Sequence, residues 1–239
     1  SSSELRDQAE ADYAAQPEAP ALAEEWKNGD VRPHVWRERL DRARDVVERS
    51  KAYRYNRFYQ RFVAEQNYVR AIPATEARRT EWQAFAAGKQ PKDTSRLKLD
   101  PNLPIPRWYE NVEWHLEPGG WDGYDLTQPM FMSGIGPYVF ALGGYAAVDV
   151  NCDIRSQRKN VLQQFRRRDF KRIYEAGCGG ATTLGVARQM FPQAELIGGD
   201  LSPAMLRNGH FASEMMGLGI TFRQEAATKV AEADNSVDA

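Results

Sequence analysis

Two carboxylates and the glycine-rich step between them are the residues of this 239-residue chain best placed to do chemistry. Glu175-Ala176-Gly177-Cys178-Gly179-Gly180-Ala181 closes one apolar stretch, and Asp200 closes a second, 23 residues beyond Gly177. Glycines at such a turn let the backbone approach a ligand closely, and an acid ending the second strand can accept hydrogen bonds from ribose hydroxyls. The pattern points to a nucleoside-bearing ligand. A dinucleotide site wants Gly-x-Gly-x-x-Gly, yet the sixth position counted from Gly177 is Thr182. Pyrophosphate also favours a helix N-terminus free of negative charge, whereas Glu175 precedes the first glycine by two residues. A carboxylate there suits a ligand carrying an ammonium and a sulfonium better than one carrying two phosphates.

Such a site needs a strand, a tight turn and a helix, followed by a second strand. Arg172 to Ala176 reads as the first strand and the residues after Ala181 as the helix; Ala194 to Asp200 reads as the second strand, after Phe191-Pro192-Gln193. Ser202 is placed to cap the next helix, with Pro203 at its first position.

These motifs resemble those of the class I S-adenosylmethionine-dependent methyltransferases. Glu175 to Ala181 is similar to that family's acid-x-Gly-x-Gly-x-Gly motif, with Ala181 in the last glycine place, and Asp200-Leu-Ser-Pro-Ala-Met-Leu206 resembles its second motif. Thr221-Phe-Arg-Gln-Glu225-Ala226 resembles the third strand and the acid-Ala pair after it, with Glu225 where Asp is more usual, and Asp234 to Ala239 resembles the opening of the fourth strand. The resemblance covers about Arg155 to Ala239. It implies an α/β fold: a Rossmann-like class I methyltransferase sheet, with strands one to three and the start of strand four present, preceded by a mainly helical N-terminal region. It also implies S-adenosyl-L-methionine as cofactor. Glu175 would face the methionine amino group, Gly177 and Gly179 would pass under methionine and ribose, and Asp200 would bind the ribose hydroxyls. Leu201 would lie against adenine, and Glu225 with Ala226 would border its edge. Each residue also has a purely structural reading: Glu175 as a paired carboxylate, Asp200 as a helix cap, the glycines as turn formers, Leu201 as core. Two rival functions stand beside methyl transfer, an NAD(P)-dependent oxidoreductase and a non-catalytic methyltransferase-like binding or scaffold protein.

In this family the acceptor usually lies above the carboxyl ends of strands one, four and five, so no general base is assigned among the residues present. His34, His115 and His210 carry no pattern that marks one. Cys178 reads as a small filler in the turn, and two cysteines, Cys152 and Cys178, make neither a disulfide framework nor a metal site. The family's order would place strand one between strands two and four, so a chain ending at Ala239 leaves a central strand with an open edge. The expectation is a fragment of a longer protein, the other possibilities being a partner chain or a second segment of this chain that completes the sheet.

The remainder divides by composition. Residues 1 to 30 carry eight acids against Arg6 and Lys27, and read as a flexible acidic arm. Residues 31 to 88 read as a helical region; within it, Val31 to Ile72 holds eleven basic and five acidic residues. Trp36, Leu40, Ala43 and Val47, then Tyr55, Phe58, Tyr59, Phe62 and Val63, recur at helical spacing, predicting an amphipathic helix or helix pair ending before Pro73, with aromatics packed inward and arginines solvated. A shorter helix from Thr75 to Ala87 follows. Arginines interleaved with aromatics also suit nucleic acid, but acids mixed along the stretch favour the packing reading, so nucleic acid is not the expected partner. Residues 89 to 150 read as an aromatic- and Gly/Pro-rich cap with Trp108, Tyr109, Trp114 and Trp121, then a buried helix from about Pro137 to Val148. Leu126 to Val148 is a run of 23 residues without a formal charge, yet Pro129, Pro137, Gly134, Gly136, Gly143 and Gly144 interrupt it, arguing against a membrane span. Arg155 to Arg172, with eight basic residues and Asp169, reads as a basic helix packed on the following sheet. A formal net charge of −1 gives no global bias toward polyanions. An aromatic-lined cap points to a small-molecule acceptor, and with no secretory pattern the expected location is cytoplasmic.

Overall fold

A computed structural model describes residues 2–27, 32–88, 91, 93–110, 112–113, 116–117, 119–131, 154–165 and 169–239. The chain divides into two compact units, Ser1–Gln66 and Asn67–Ala239. The division falls inside a helix rather than at the compositional breaks near 30, 88 and 150.

The first unit is helical. α1 (Ser2–Ala14) and α2 (Ala19–Lys27) occupy the stretch expected to be a flexible arm. Two things order it. Ala9, Ala19 and Leu22 are buried, and the acids meet the basic segment that follows: Glu18 pairs with Arg49 at 2.8 Å and Glu25 accepts from Arg42 at 2.9 Å. The opposite compositional charges are thus complementary surfaces of one helical unit. α3 (Pro33–Val47) and α4 (Lys51–Glu76) follow. Ser50 caps α4 by accepting from the Tyr53 N–H at 3.1 Å while its hydroxyl donates to Asp12 at 2.6 Å, tying α1 to this junction.

Two helix readings are corrected. α4 runs through Pro73 to Glu76, and α5 (Arg79–Gly88) starts later than expected. The aromatics of α4 also do not pack inward: Tyr55, Phe58 and Phe62 are 58%, 63% and 48% exposed, while Ala64 and Tyr68 on the other side are buried. A 100° step per residue puts Ala64 and Tyr68 on the face opposite Tyr55 and Phe62. The helix is apolar on both faces, and periodicity does not say which one finds a partner.

In the second unit the elements are β1 (Leu97–Lys98), α6 (Thr127–Met130), α7 (Ile154–Leu162), β2 (Arg172–Ala176), α8 (Thr182–Met190), β3 (Glu195–Asp200), α9 (Pro203–Met216) and β4 (Ile220–Gln224). The sheet is parallel throughout, in the order β1-β4-β3-β2. Leu196 and Ile197 of β3 are both fully buried, as expected when helices cover both faces of a parallel sheet. Leu184, Leu206, Ile220 and Phe222 complete the centre of the core. Residues 238 and 239 run along the free edge of β2: Asp238 N–H donates to the Arg172 carbonyl at 2.9 Å, and Tyr174 N–H donates to the Ala239 carbonyl at 2.8 Å. β1 adds a strand beyond β4 that the sequence does not announce, because two residues carry no period.

The basic helix is shorter than expected, ending at Leu162; it packs on α8, and Leu162 joins the core cluster that holds Ile173 of β2 and Leu196 of β3. Within the cap, Trp108 is 60% exposed, whereas Trp121 packs edge-on against Phe131 with ring centres 5.3 Å apart. Trp114, His115 and the expected helix at 137–148 lie outside the described residues. Among the described residues no helix is long and apolar enough to cross a membrane.

Candidate functional site

The β2–α8 turn is built on left-handed backbone. Gly177 and Gly179 have φ of 68° and 49°, and Ala181, the N-cap of α8, has φ of 61°. Glycine takes this conformation freely and alanine at a cost. A Cβ placed on Gly177 would meet nothing within 4 Å, so the space above the turn is open.

Glu175 stands at the end of β2 beside the start of α8. Its carboxylate accepts from the Thr183 hydroxyl and the Leu184 N–H, with Arg158 contributing favourable charge, yet burial dominates and pushes its pKa up. Its Oε2 is buried and accepts no hydrogen bond among the described residues. A buried acceptor left this way carries a desolvation penalty that a cationic donor would remove.

Asp200 ends β3 facing the same turn. One oxygen accepts from Gly179 N–H at 2.8 Å and the other from Ser202 N–H at 2.9 Å. The carboxylate therefore fixes the glycine turn and the start of α9 together, and each oxygen keeps further lone-pair capacity. Ser202 caps α9 by accepting from Met205 N–H at 3.0 Å. Leu201 is buried beside it, and its carbonyl accepts from Gln224 at 3.2 Å.

Glu225 has a different setting. Its Oε1 accepts from the Tyr174 hydroxyl at 2.9 Å and its Oε2 from Ala231 N–H at 2.8 Å, so this buried carboxylate secures the loop after β4. Ala226 opens that loop, with its carbonyl accepting from Lys229 N–H at 2.9 Å. The structure thus brings Glu175, Gly177, Gly179, Asp200, Leu201, Glu225 and Ala226 to the C-terminal ends of three adjacent strands, where open α/β sheets hold ligands. Glu175 and Asp200 face the turn, while both oxygens of Glu225 are engaged by protein.

Three participants escape a motif search. Gly198 and Gly199 make room inside β3: a Cβ on Gly199 would lie 2.1 Å from the Tyr174 hydroxyl oxygen, and one on Gly198 would lie 2.6 Å from Cys178 Sγ. Consecutive glycines inside a strand signal such close approach. Asp122 accepts from the Ser202 hydroxyl and from Ala204 N–H, both at 3.0 Å, buttressing the start of α9 from about 80 residues away; nothing local in the sequence could reveal this. Cys178 is buried, and burial with the neighbouring carboxylates pushes its thiol pKa well up, which leaves it a packing residue rather than a nucleophile. His34 is exposed on α3, and His210 is buried on α9, 3.9 Å from Glu214 and edge-on to Phe222. Among the described residues no cluster of His, Cys, Asp or Glu could hold a metal ion.

Comparison with known families matches residues 173–239 to the Methyltransferase domain model, consistent with a class I S-adenosylmethionine-dependent methyltransferase family. No curated protein and no solved structure matches the chain.

Proposed function

We propose that this methyltransferase domain binds S-adenosylmethionine across the β2–α8 turn and serves methyl transfer to a small organic acceptor. The observation that carries the cofactor assignment is Glu175 Oε2, a buried carboxylate oxygen that accepts no hydrogen bond among the described residues, beside an open glycine turn. S-adenosylmethionine offers an ammonium for that oxygen and a ribose diol for Asp200, so the residues present fit the group. When bound, the cofactor supplies a methyl group made electrophilic by its sulfonium.

The chain's own residues then hold and orient. Glu175 takes the amino group, and the bare backbone of Gly177 and Gly179 lets the ligand lie close over the turn. Asp200 accepts from the ribose hydroxyls with the lone pairs left by Gly179 and Ser202, and Leu201 supports the adenine. Ala226 borders the adenine edge, and Glu225 holds that edge in place through Tyr174 and Ala231. Transfer between aligned partners relies chiefly on orientation and exclusion of water. A small organic acceptor is supported by the aromatic-rich segment around Trp108, Tyr109 and Trp121.

A nicotinamide dinucleotide fits less well for a physical reason. Its pyrophosphate would need the donors at the start of α8, and Glu175 already engages the Thr183 hydroxyl and the Leu184 N–H there. Equilibrium titrations with S-adenosylmethionine and with reduced nicotinamide dinucleotide separate the readings. S-adenosylmethionine should bind, with affinity reduced at least about tenfold in Asp200→Ala, for the loss of charge-assisted hydrogen bonds. Binding of the nicotinamide compound instead, or of neither, would overturn the proposal. Intact S-adenosylmethionine binding without methyl transfer to any component of a cell extract would favour the scaffold reading.

A further inference from the structure

A concavity of the same unit adjoins the C-terminal ends of β3 and β4: Gln224, which lines it, donates to the Leu201 carbonyl, and Asp122, which also lines it, accepts from the Ser202 hydroxyl. It is a cavity of about 480 Å³ between the segment after β1, the 119–123 turn and the start of α9. Its walls are apolar and aromatic, with Leu103, Ile105, Tyr109, Val112 and Trp121 the principal side chains. That volume and lining suit a small organic molecule.

Its charge is one-sided. Three carboxylates, Asp100, Glu110 and Asp122, line it against one guanidinium, Arg207. The carboxylates differ in what they already do. Asp122 is committed to Ser202, Ala204 and the Tyr109 hydroxyl, and Asp100 accepts from Asn102 N–H at 2.9 Å. Glu110 is exposed, and among the described residues its carboxylate has no hydrogen bond or ion pair, so it can meet a ligand without giving up a contact. Arg207, also exposed, lies one turn into α9. Aromatic faces beside an excess of negative charge attract a cation twice, through the carboxylates and through the rings.

We propose that this cavity is a binding site for a small organic cation, an amine carried on an apolar or aromatic body. The carboxylate of Glu110 takes the ammonium with support from Asp100, while Leu103, Ile105 and Trp121 cover the body. The site rests on its own walls and not on the cofactor assignment. It does, however, share Asp122 with the Asp200–Ala204 turn, so a ligand here lies against the group that buttresses the start of α9.

Ligand-observed NMR titration with three probes of one shape tests it: 2-phenylethylamine as cation, 2-phenylethanol as neutral and phenylacetate as anion. Affinities for molecules this small are expected on the order of 1 mM. The amine should bind at least about tenfold more tightly than the carboxylate, with the alcohol between them. Glu110→Gln should weaken the amine about fivefold and leave the alcohol unchanged, because only the charge term is removed. Ile105→Ala should weaken amine and alcohol alike, which places the probes in this cavity. Equal or reversed order of amine and carboxylate, no effect of Glu110→Gln on the amine, or no effect of Ile105→Ala on either probe would overturn the proposal. So would absence of binding at several times the expected constant. These outcomes are read from the three probes alone, whereas S-adenosylmethionine binding is read from its own titration, so the failure of one proposal is distinguishable from the failure of the other.

Discussion

Gly199→Ala is the substitution whose consequence follows most directly from the geometry of the site. Its new methyl would stand 2.1 Å from the Tyr174 hydroxyl oxygen, 2.8 Å from Glu225 Oε1 and 3.0 Å from the Tyr174 ring carbon that bears the hydroxyl. Ordinary contact requires about 3.5–4.0 Å, so the pair must move apart. Overpacking a core position costs about 1–3 kcal/mol. Moving Tyr174 also breaks its 2.9 Å hydrogen bond to the buried Glu225 carboxylate, worth about 1.5–3 kcal/mol. The single variant should therefore lose about 3–5 kcal/mol, a large part of the stability of a typical domain. Tyr174→Phe alone removes the same hydrogen bond, leaves Glu225 one partner short and should cost about 1.5–3 kcal/mol. In the double variant the oxygen that meets the methyl is gone, so its loss should fall short of the sum of the singles by about 2 kcal/mol. Urea denaturation of the four proteins, followed by circular dichroism and read at constant slope, gives these values. Additive losses would refute the reasoning, because they would mean that Tyr174 does not occupy the space left by Gly199.

Two further substitutions test neighbouring parts of the account. Ala181 holds a left-handed conformation with φ of 61°, so Ala181→Gly should stabilise the protein by about 0.5–1 kcal/mol, visible as a higher urea midpoint. His210 is fully buried on α9, and burial lowers its pKa, with Glu214 and Asp93 opposing more weakly. The fold holds the neutral ring, so its contribution is complete above the ordinary histidine range near 6.5 and declines as pH falls below it. The wild-type urea midpoint should therefore drop between pH 7 and pH 5, and His210→Phe, which keeps the edge-on contact with Phe222, should flatten that drop; an unchanged slope would contradict it.

What could be read from sequence was whatever depends on neighbours along the chain. The glycine turn, the acid before it, the second strand with Asp200 at its end, and the Ser202 cap with Pro203 all follow from local backbone and capping chemistry. The unannounced features arise from contacts between distant segments. Leu97 and Lys98 form a strand only because β4 presents a free edge, and Asp122 matters only because the chain returns to the start of α9. Residues 2–27 fold as helices despite their low apolar content because arginines of the basic segment that follows meet Glu18 and Glu25, a pairing that local composition does not reveal. The exposed aromatics of α4 show the converse: an apolar stripe at helical spacing establishes an amphipathic face without telling what it faces.

The central claim is that the β2–α8 turn recognises S-adenosylmethionine through its ammonium at Glu175. Calorimetric titration of wild type and Glu175→Gln with S-adenosylmethionine and with 5′-methylthioadenosine, which lacks the amino acid portion, tests it most directly. The account predicts that Glu175→Gln weakens S-adenosylmethionine about tenfold or more, from loss of a partly buried charge pair, and leaves 5′-methylthioadenosine unchanged. It also predicts that wild-type affinity falls on acidification, beginning above the ordinary glutamate range because burial raises the Glu175 pKa, and that the variant lacks this dependence. Equal weakening of both ligands, or no weakening of either, would contradict it.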